Sequence, residues 1–320
     1  MRHTSIKFAI IGYGHLGGYH AAKVKEHPEA ELVAIVDPDA NQRAKARVDH
    51  DCIVYEHIDQ IHDSLNLDAA IVASPTETHA DTSTTLLGQG YHLLIEKPAT
   101  ATQAELSTLI ALVEKKPRIV QVGHVERFNP AIQQALPLVS GARYITSERL
   151  GPFSGRSGNI DVIMDLMIHD LDLVAAIIPD QLIEVRAAGV PIVTAETDMA
   201  SVRLAFGGGQ VAELRAGRAS MEQVRKIRFF SKHGYVSVDC KDREVKCVHR
   251  DSDSGGQWPA ISAKTLDVPN KDPLYEQLND FIVSIRTQSR PKVDLTQASR
   301  VLDMANQINT ALKTSQLLEI

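Results

Sequence analysis

The chain has 320 residues, 34 Lys and Arg against 40 Asp and Glu, a formal net charge of −6, 43% hydrophobic residues and 23% charged residues. That is the composition of a folded globular protein long enough for roughly two domains, and it excludes general disorder. An acidic chain with no Lys/Arg-rich run offers no broad surface to nucleic acid or to an anionic membrane, so any anion it binds is held by local devices.

The opening MRHTSIKFAII runs into an expected core strand without a small-residue cleavage site, and no stretch approaches about 18 uninterrupted apolar residues. The cytoplasm is the expected location. Cys52, Cys240 and Cys247 lack the paired spacing of a disulfide framework or zinc knuckle and read as free thiols. The 13 His residues form no H-E-x-x-H pattern, and no metal is expected.

In chain order, strands are predicted at 6–12, 31–37, 68–74, 91–97 and 118–123, with helices between them at about 15–27, 39–47, 77–88 and 102–115. The runs FAII and AAIVA are apolar throughout rather than alternating, as strands covered on both faces are. The rhythm predicts a Rossmann-type, doubly wound parallel sheet.

The first strand ends in Gly12-Tyr13-Gly14-His15-Leu16-Gly17, a G-x-G-x-x-G that opens a helix, and the second ends in Asp37. Gly12 suits a tight turn, Gly14 lets the backbone approach a pyrophosphate, and Gly17 lets helix and strand pack closely. The helix N-terminus offers N–H groups to the phosphates. Asp37 can accept hydrogen bonds from ribose hydroxyls and would repel a 2′-phosphate, which favours NAD over NADP. Arg43 is near enough in sequence to keep NADP open.

Ligands of open α/β sheets bind beyond the C-terminal strand ends, so Ser74-Pro75-Thr76 with His79, and Glu96-Lys97-Pro98, are candidates for the nicotinamide half. Pro98 keeps Lys97 out of the helical region. Spacing alone leaves Lys97 either a solvated surface group or a functional cation.

After Gly123 the pattern becomes β-rich, with strands predicted at 142–151, 182–190, 199–206, 210–217, 225–232 and 235–240. Turns at Gly207-Gly208-Gly209 and His233-Gly234 predict a large, mostly antiparallel open sheet. A polar loop is read at 251–258, and helices at about 273–287 and 295–314. The expected division is a cofactor domain at 1–123 and a substrate and oligomerisation α/β domain at 124–320. One helix, 160–178, is largely apolar but carries Asp161, Asp165, His169 and Asp172 on one stripe, facing either solvent or a polar cavity. In a cavity, Asp165 would orient His169 as a general base.

These residues together resemble the Gfo/Idh/MocA oxidoreductases: the glycine loop followed by His20, Ser74-Pro75-Thr76 with His79, Glu96-Lys97-Pro98, Gly123-His124 with Arg127, Phe128 and Asn129, and Asp165-x3-His169-Asp170. RFNP at 127–130 and the segment 149–173 look most like the members that oxidise the C3 hydroxyl of UDP-N-acetylglucosamine. The resemblance implies hydride transfer from a sugar carbon to NAD. It implies catalytic roles for Lys97 at the reacting hydroxyl and His169, supported by Asp165, as proton acceptor. It also implies a homodimer or homotetramer, formed through the open sheet, whose keto product a partner aminotransferase could take. Arg156, in the Gly-rich segment 151–158, is the first candidate for the substrate diphosphate, with Arg127 second and Asn129 beside it. A dehydrogenase of another sugar, an inositol or a UDP-hexuronic acid, and a silent NAD-binding regulator, are the alternatives.

Overall fold

A computed structural model describes residues 5–62, 65–155, 158–232, 234–251 and 260–316. The chain forms two compact units, Met1–Val125 with Asp272–Ser299, and Glu126–Lys271 with Arg300–Ile320.

In unit one, β1 (Ile6–Ile11), β2 (Ala30–Val36), β3 (Ile53–Tyr55), β4 (Ala69–Val72), β5 (His92–Ile95) and β6 (Val120–Val122) form one sheet in the order β3-β2-β1-β4-β5-β6. Every pair is parallel, and the order reverses between β1 and β4, where such sheets bind ligands. Crossover helices α1 (His15–Glu26), α2 (Ala40–Asp49), α3 (His79–Gln89) and α4 (Gln103–Lys115) cover its faces. The short strand β3 has no counterpart in the sequence expectation.

Helix α7 (Pro273–Thr287) belongs to this unit. The Asp272 side chain caps it by accepting from the N–H groups of Leu274 and Tyr275, and Pro273 sits in its first turn. Its apolar face buries Leu278, Phe281 and Ile282 in the core with Phe8, Ile10 and Ile35, the Phe8 and Phe281 rings lying 6.1 Å apart. The continuous boundary expected near Gly123 therefore differs from the observed division, because side chains far along the sequence complete the first core.

Unit two contains the other sheet, in the order β14-β13-β12-β11-β7-β10-β9-β8. Its strands are β7 (Tyr144–Leu150), β8 (Leu182–Val190), β9 (Met199–Phe206), β10 (Val211–Gly217), β11 (Val224–Ser231), β12 (Gly234–Asp239), β13 (Glu244–Asp251) and β14 (Ala260–Leu266). Only β7 and β10 pair in parallel. The last two strands were not expected, and residues 252–258 of the expected loop lie outside the described residues.

One sheet face packs Ile145, Val202, Leu204, Leu214 and Val238 into a core with Leu171 and Val174 of α6 (Ile168–Ile177), residues of α5 (Pro130–Ala135), and Val301 and Ile308 of α8 (Leu295–Gln316). The other face carries charged partners such as Arg228 with Glu148 at 3.1 Å and Arg203 with Glu184 at 3.5 Å. This division of faces follows from the alternation along each strand.

Candidate active site

In unit one the glycine loop is built as its spacing predicts. Gly12 has φ +89°, and a Cβ there would lie 2.8 Å from the backbone of Ala73 and Ser74. A Cβ on Gly17 would fall 1.9 Å from the Gly12 carbonyl oxygen, so the start of α1 can pack against the turn only without a side chain. Gly14 has open space where its Cβ would be, and as N-cap of α1 it places no side chain over the helix N–H groups. A pyrophosphate needs that combination of room and donors. His15 and Leu16 begin α1 at the surface, the His15 ring edge-on to Tyr19.

Asp37 closes β2 as a buried carboxylate. Its Oδ2 accepts from the Tyr13 N–H at 2.6 Å and its Oδ1 from the Asp39 N–H at 2.8 Å, which aims the group at the glycine loop and leaves lone pairs for two ribose hydroxyls. Arg43, the residue that kept NADP open, donates to the carbonyls of Asp37 and Pro38 at 3.0 and 2.8 Å and pairs with Glu56 at 3.1 Å. The loop and Asp37 fit NAD.

Ser74 and Thr76 follow β4, the Ser74 hydroxyl 2.7 Å from that of Thr78, which donates to the Pro75 carbonyl. His79 is buried, with Nε2 2.8 Å from the Ser74 carbonyl and Nδ1 2.9 Å from the Pro98 carbonyl. It therefore ties the end of β4 to the segment after β5, instead of pointing to the surface. Glu96 is buried against His20, whose Nε2 lies 2.7 Å from its Oε1, while the Lys97 N–H donates to Glu96 at 3.2 Å. A Cβ on Gly123 would lie 2.8 Å from the Glu96 carboxyl, so that glycine makes room for the buried acid. Lys97 is half-buried and joined to Pro98 by a cis peptide bond.

In unit two, Asp165 lies within a π-helical turn, Ile163–Met167, and α6 resumes regular geometry one residue before His169. Single π turns recur at functional sites, where they re-aim side chains. The expected polar stripe divides. Asp165 and His169 are half-buried, Asp161 accepts from the Met164 N–H and from Asn309, and Asp172 is fully buried against Arg127 at 2.9 Å. Burial pushes the Asp172 carboxyl up to about 7 against the pull of Arg127.

Arg127 and Asn129 were expected to touch substrate; inside the unit the Nε of Arg127 is engaged by Asp172, and Asn129 by groups of its own unit. The Asn129 amide donates to the Cys240 carbonyl at 2.9 Å, and its oxygen caps α5. Asp170, quoted from the sequence only as part of the Asp165-x3-His169-Asp170 motif, forms a buried bidentate pair with Arg149 at 2.8 and 3.1 Å, with Glu126 also on Arg149 at 3.0 Å. Burial alone would lower the Arg149 pKa, and the two carboxylates more than offset it. An Asp directly after the candidate base His169 was the available signal. Arg156 lies outside the described residues.

Residues 6–124 match the oxidoreductase family Gfo/Idh/MocA with its NAD-binding Rossmann fold. The chain is 34% identical over 309 residues to UDP-N-acetylglucosamine 3-dehydrogenase of Acidithiobacillus ferrooxidans, covering 96% of this chain and 97% of that one. The chain belongs to the Gfo/Idh/MocA oxidoreductase family.

Its structure matches that of the A. ferrooxidans UDP-N-acetylglucosamine 3-dehydrogenase GnnA with a TM-score of 0.90 and 32% identity, covering 98% of this chain and 99% of that chain. A scyllo-inositol dehydrogenase of Lactobacillus casei, solved with NAD(H) and scyllo-inositol, shares the fold at 16% identity, 98% coverage of both chains and a TM-score of 0.82. The expected family and the expected pairing of a Rossmann sheet with a mostly antiparallel sheet both hold. The stretch that matches the NAD-binding Rossmann family, 6–124, lies within the first unit. Among the described residues no helix is long and apolar enough to cross a membrane.

Proposed function

We propose that the chain oxidises the C3 hydroxyl of UDP-N-acetylglucosamine to the 3-keto sugar nucleotide, with NAD as hydride acceptor. The observation that carries this reading is 34% identity to a UDP-N-acetylglucosamine 3-dehydrogenase along nearly the whole of both chains. Bound NAD supplies the acceptor carbon for the hydride that leaves C3. The chain supplies the rest. Lys97 contacts the reacting oxygen and stabilises the negative charge that develops there, and His169 accepts the hydroxyl proton with Asp165 holding its ring. The carbinol thus loses one hydride and one proton and becomes a ketone.

The His20–Glu96 pair and the His79 bridge fix the backbone around Lys97. Asp170 and Asp172, tied to Arg149 and Arg127, fix α6 behind His169. In this reading Arg127 and Asn129 serve the substrate from behind, and Arg156 meets the diphosphate directly. The open face of the second sheet, laced with exposed ion pairs, is the surface through which copies of the chain would join as a dimer or tetramer. The keto product is the substrate class of an aminotransferase, and the cytoplasm is the setting proposed for both reactions.

The test is incubation of the purified protein with NAD and a panel of UDP-sugars and free polyols, following NADH absorbance. NADH formation with UDP-N-acetylglucosamine is expected. Turnover of an inositol or free sugar with none on UDP-sugars would overturn the reading.

A further inference from the structure

Unit two carries an open cleft of about 370 Å³ lined by Asp165, Arg149, Arg218, Arg225, Leu150 and Phe153, among others. That volume falls within the range of about 300–1,000 Å³ typical of small-ligand sites. Three guanidinium groups border it, and they are not equivalent. Arg149 is held by Asp170 and Glu126, and Arg218 by Asp198 at 2.6 Å. Arg225 is exposed, and among the described residues no carboxylate lies within ion-pair distance of it.

The position of Arg225 is set by register. It is the cross-strand partner of Arg149 on the antiparallel pair β7/β11, so it shares the helix-covered face with Arg149, Ile227 and Phe229. Two like charges directly opposite repel. Arg149 is neutralised by its two acids, whereas Arg225 keeps its charge at the cavity mouth. On the same cavity, the Phe153 ring is 37% exposed and the Arg218 guanidinium lies 5.8 Å from its centroid. A flat ring backed by a cation is a stacking surface for a planar base.

We propose that Arg225 binds the diphosphate of the sugar nucleotide and that Phe153 receives the base, so that this cavity is the nucleotide subsite. The inference rests on the sugar-nucleotide reading above. Arg225 matches the diphosphate because a guanidinium binds phosphate oxygens bidentately, and it is the cavity's one arginine among the described residues without an acidic partner. Asp165 also lines the cavity, so a sugar attached to the diphosphate would extend toward the helix that carries His169.

The experiment measures UDP binding by calorimetry, and UDP-N-acetylglucosamine kinetics, for the wild-type protein and for Arg225→Ala, Arg225→Lys, Phe153→Ala and Arg186→Ala. Arg186 lies on β8 outside this cavity and removes the same charge. Arg225→Ala should weaken UDP binding and raise KM by about tenfold or more with kcat little changed, and Arg225→Lys should restore part of the loss. Phe153→Ala should weaken UDP binding but leave inorganic pyrophosphate binding unaltered. The salt dependence of UDP binding should be shallower in Arg225→Ala than in Arg186→Ala. If wild type binds UDP and Arg225→Ala binds it equally well, the subsite is refuted and the substrate reading stands. If wild type neither binds UDP nor turns over UDP-N-acetylglucosamine, the substrate reading fails and this inference with it.

Discussion

The carboxylate of Asp37 accepts a hydrogen bond from the backbone N–H of Tyr13 at 2.6 Å, locking the end of β2 to the glycine loop. The acid proposed to read the ribose is therefore tied to the loop proposed to hold the pyrophosphate. Arg43, the nearest arginine in sequence, is engaged by two carbonyls and Glu56, so it does not offset the repulsion that Asp37 exerts on a 2′-phosphate. NAD should bind at least about tenfold tighter than NADP. Fluorescence titration of Asp37→Ala should show that margin shrink, mainly through weaker NAD binding.

The glycines separate folding from ligand binding. Gly17→Ala forces a Cβ into the Gly12 carbonyl and should lower both Tm and NAD affinity. Gly14→Ala meets no protein atom. It should leave Tm within a degree or two while weakening NAD about tenfold or more, because the new methyl occupies space the phosphates need. Calorimetry and thermal melts on the two variants check the contrast.

For the proposed chemistry, Lys97→Ala should retain NAD binding and lose turnover by about 10²-fold or more, the usual scale of a positioned catalytic group. His169→Asn should remove the rising alkaline limb of the kcat/KM profile. An unchanged profile would assign the base elsewhere.

Asp198 gives a pH prediction for stability. Burial alone would raise its pKa, but the backbone N–H groups of Thr194, Ile192 and Val193 and the Arg218 guanidinium hold it well below the usual carboxylate range. A depressed acid stabilises the fold above its unfolded value of 3.8, and that contribution is lost as pH falls further toward the folded value. Asp198→Asn should lower Tm by several degrees at pH 7, with the gap to wild type narrowing below about pH 4. A gap that stays constant into acid would contradict this assignment.

The sheet-and-helix rhythm of the first unit was legible because buried parallel strands are unbroken apolar runs, and α7 was legible from its apolar stripe. Strand β3 was not legible, since an exposed Ile53 followed by two half-buried edge residues carries almost no pattern. In β13 the alternation of Val245 and Cys247 is diluted by charged neighbours on the open face. For the site, positions whose demand is steric, such as Gly12 and Gly17, could be read from spacing. The roles of Arg127 and Asn129 could not, because their partners, Asp172 and Cys240, are brought to them only by the folded chain.

The return of the chain to its first unit bears on synthesis. A ribosome that has completed 271 residues has made every strand of the Rossmann sheet but not Leu278, Phe281 or Ile282, which belong to its core. The cofactor unit therefore cannot finish folding vectorially ahead of the rest. Its nascent form exposes apolar surface under β1 until Ile282 of the 320 residues has emerged, and a fragment ending near residue 125 would leave that surface without the helix that covers it.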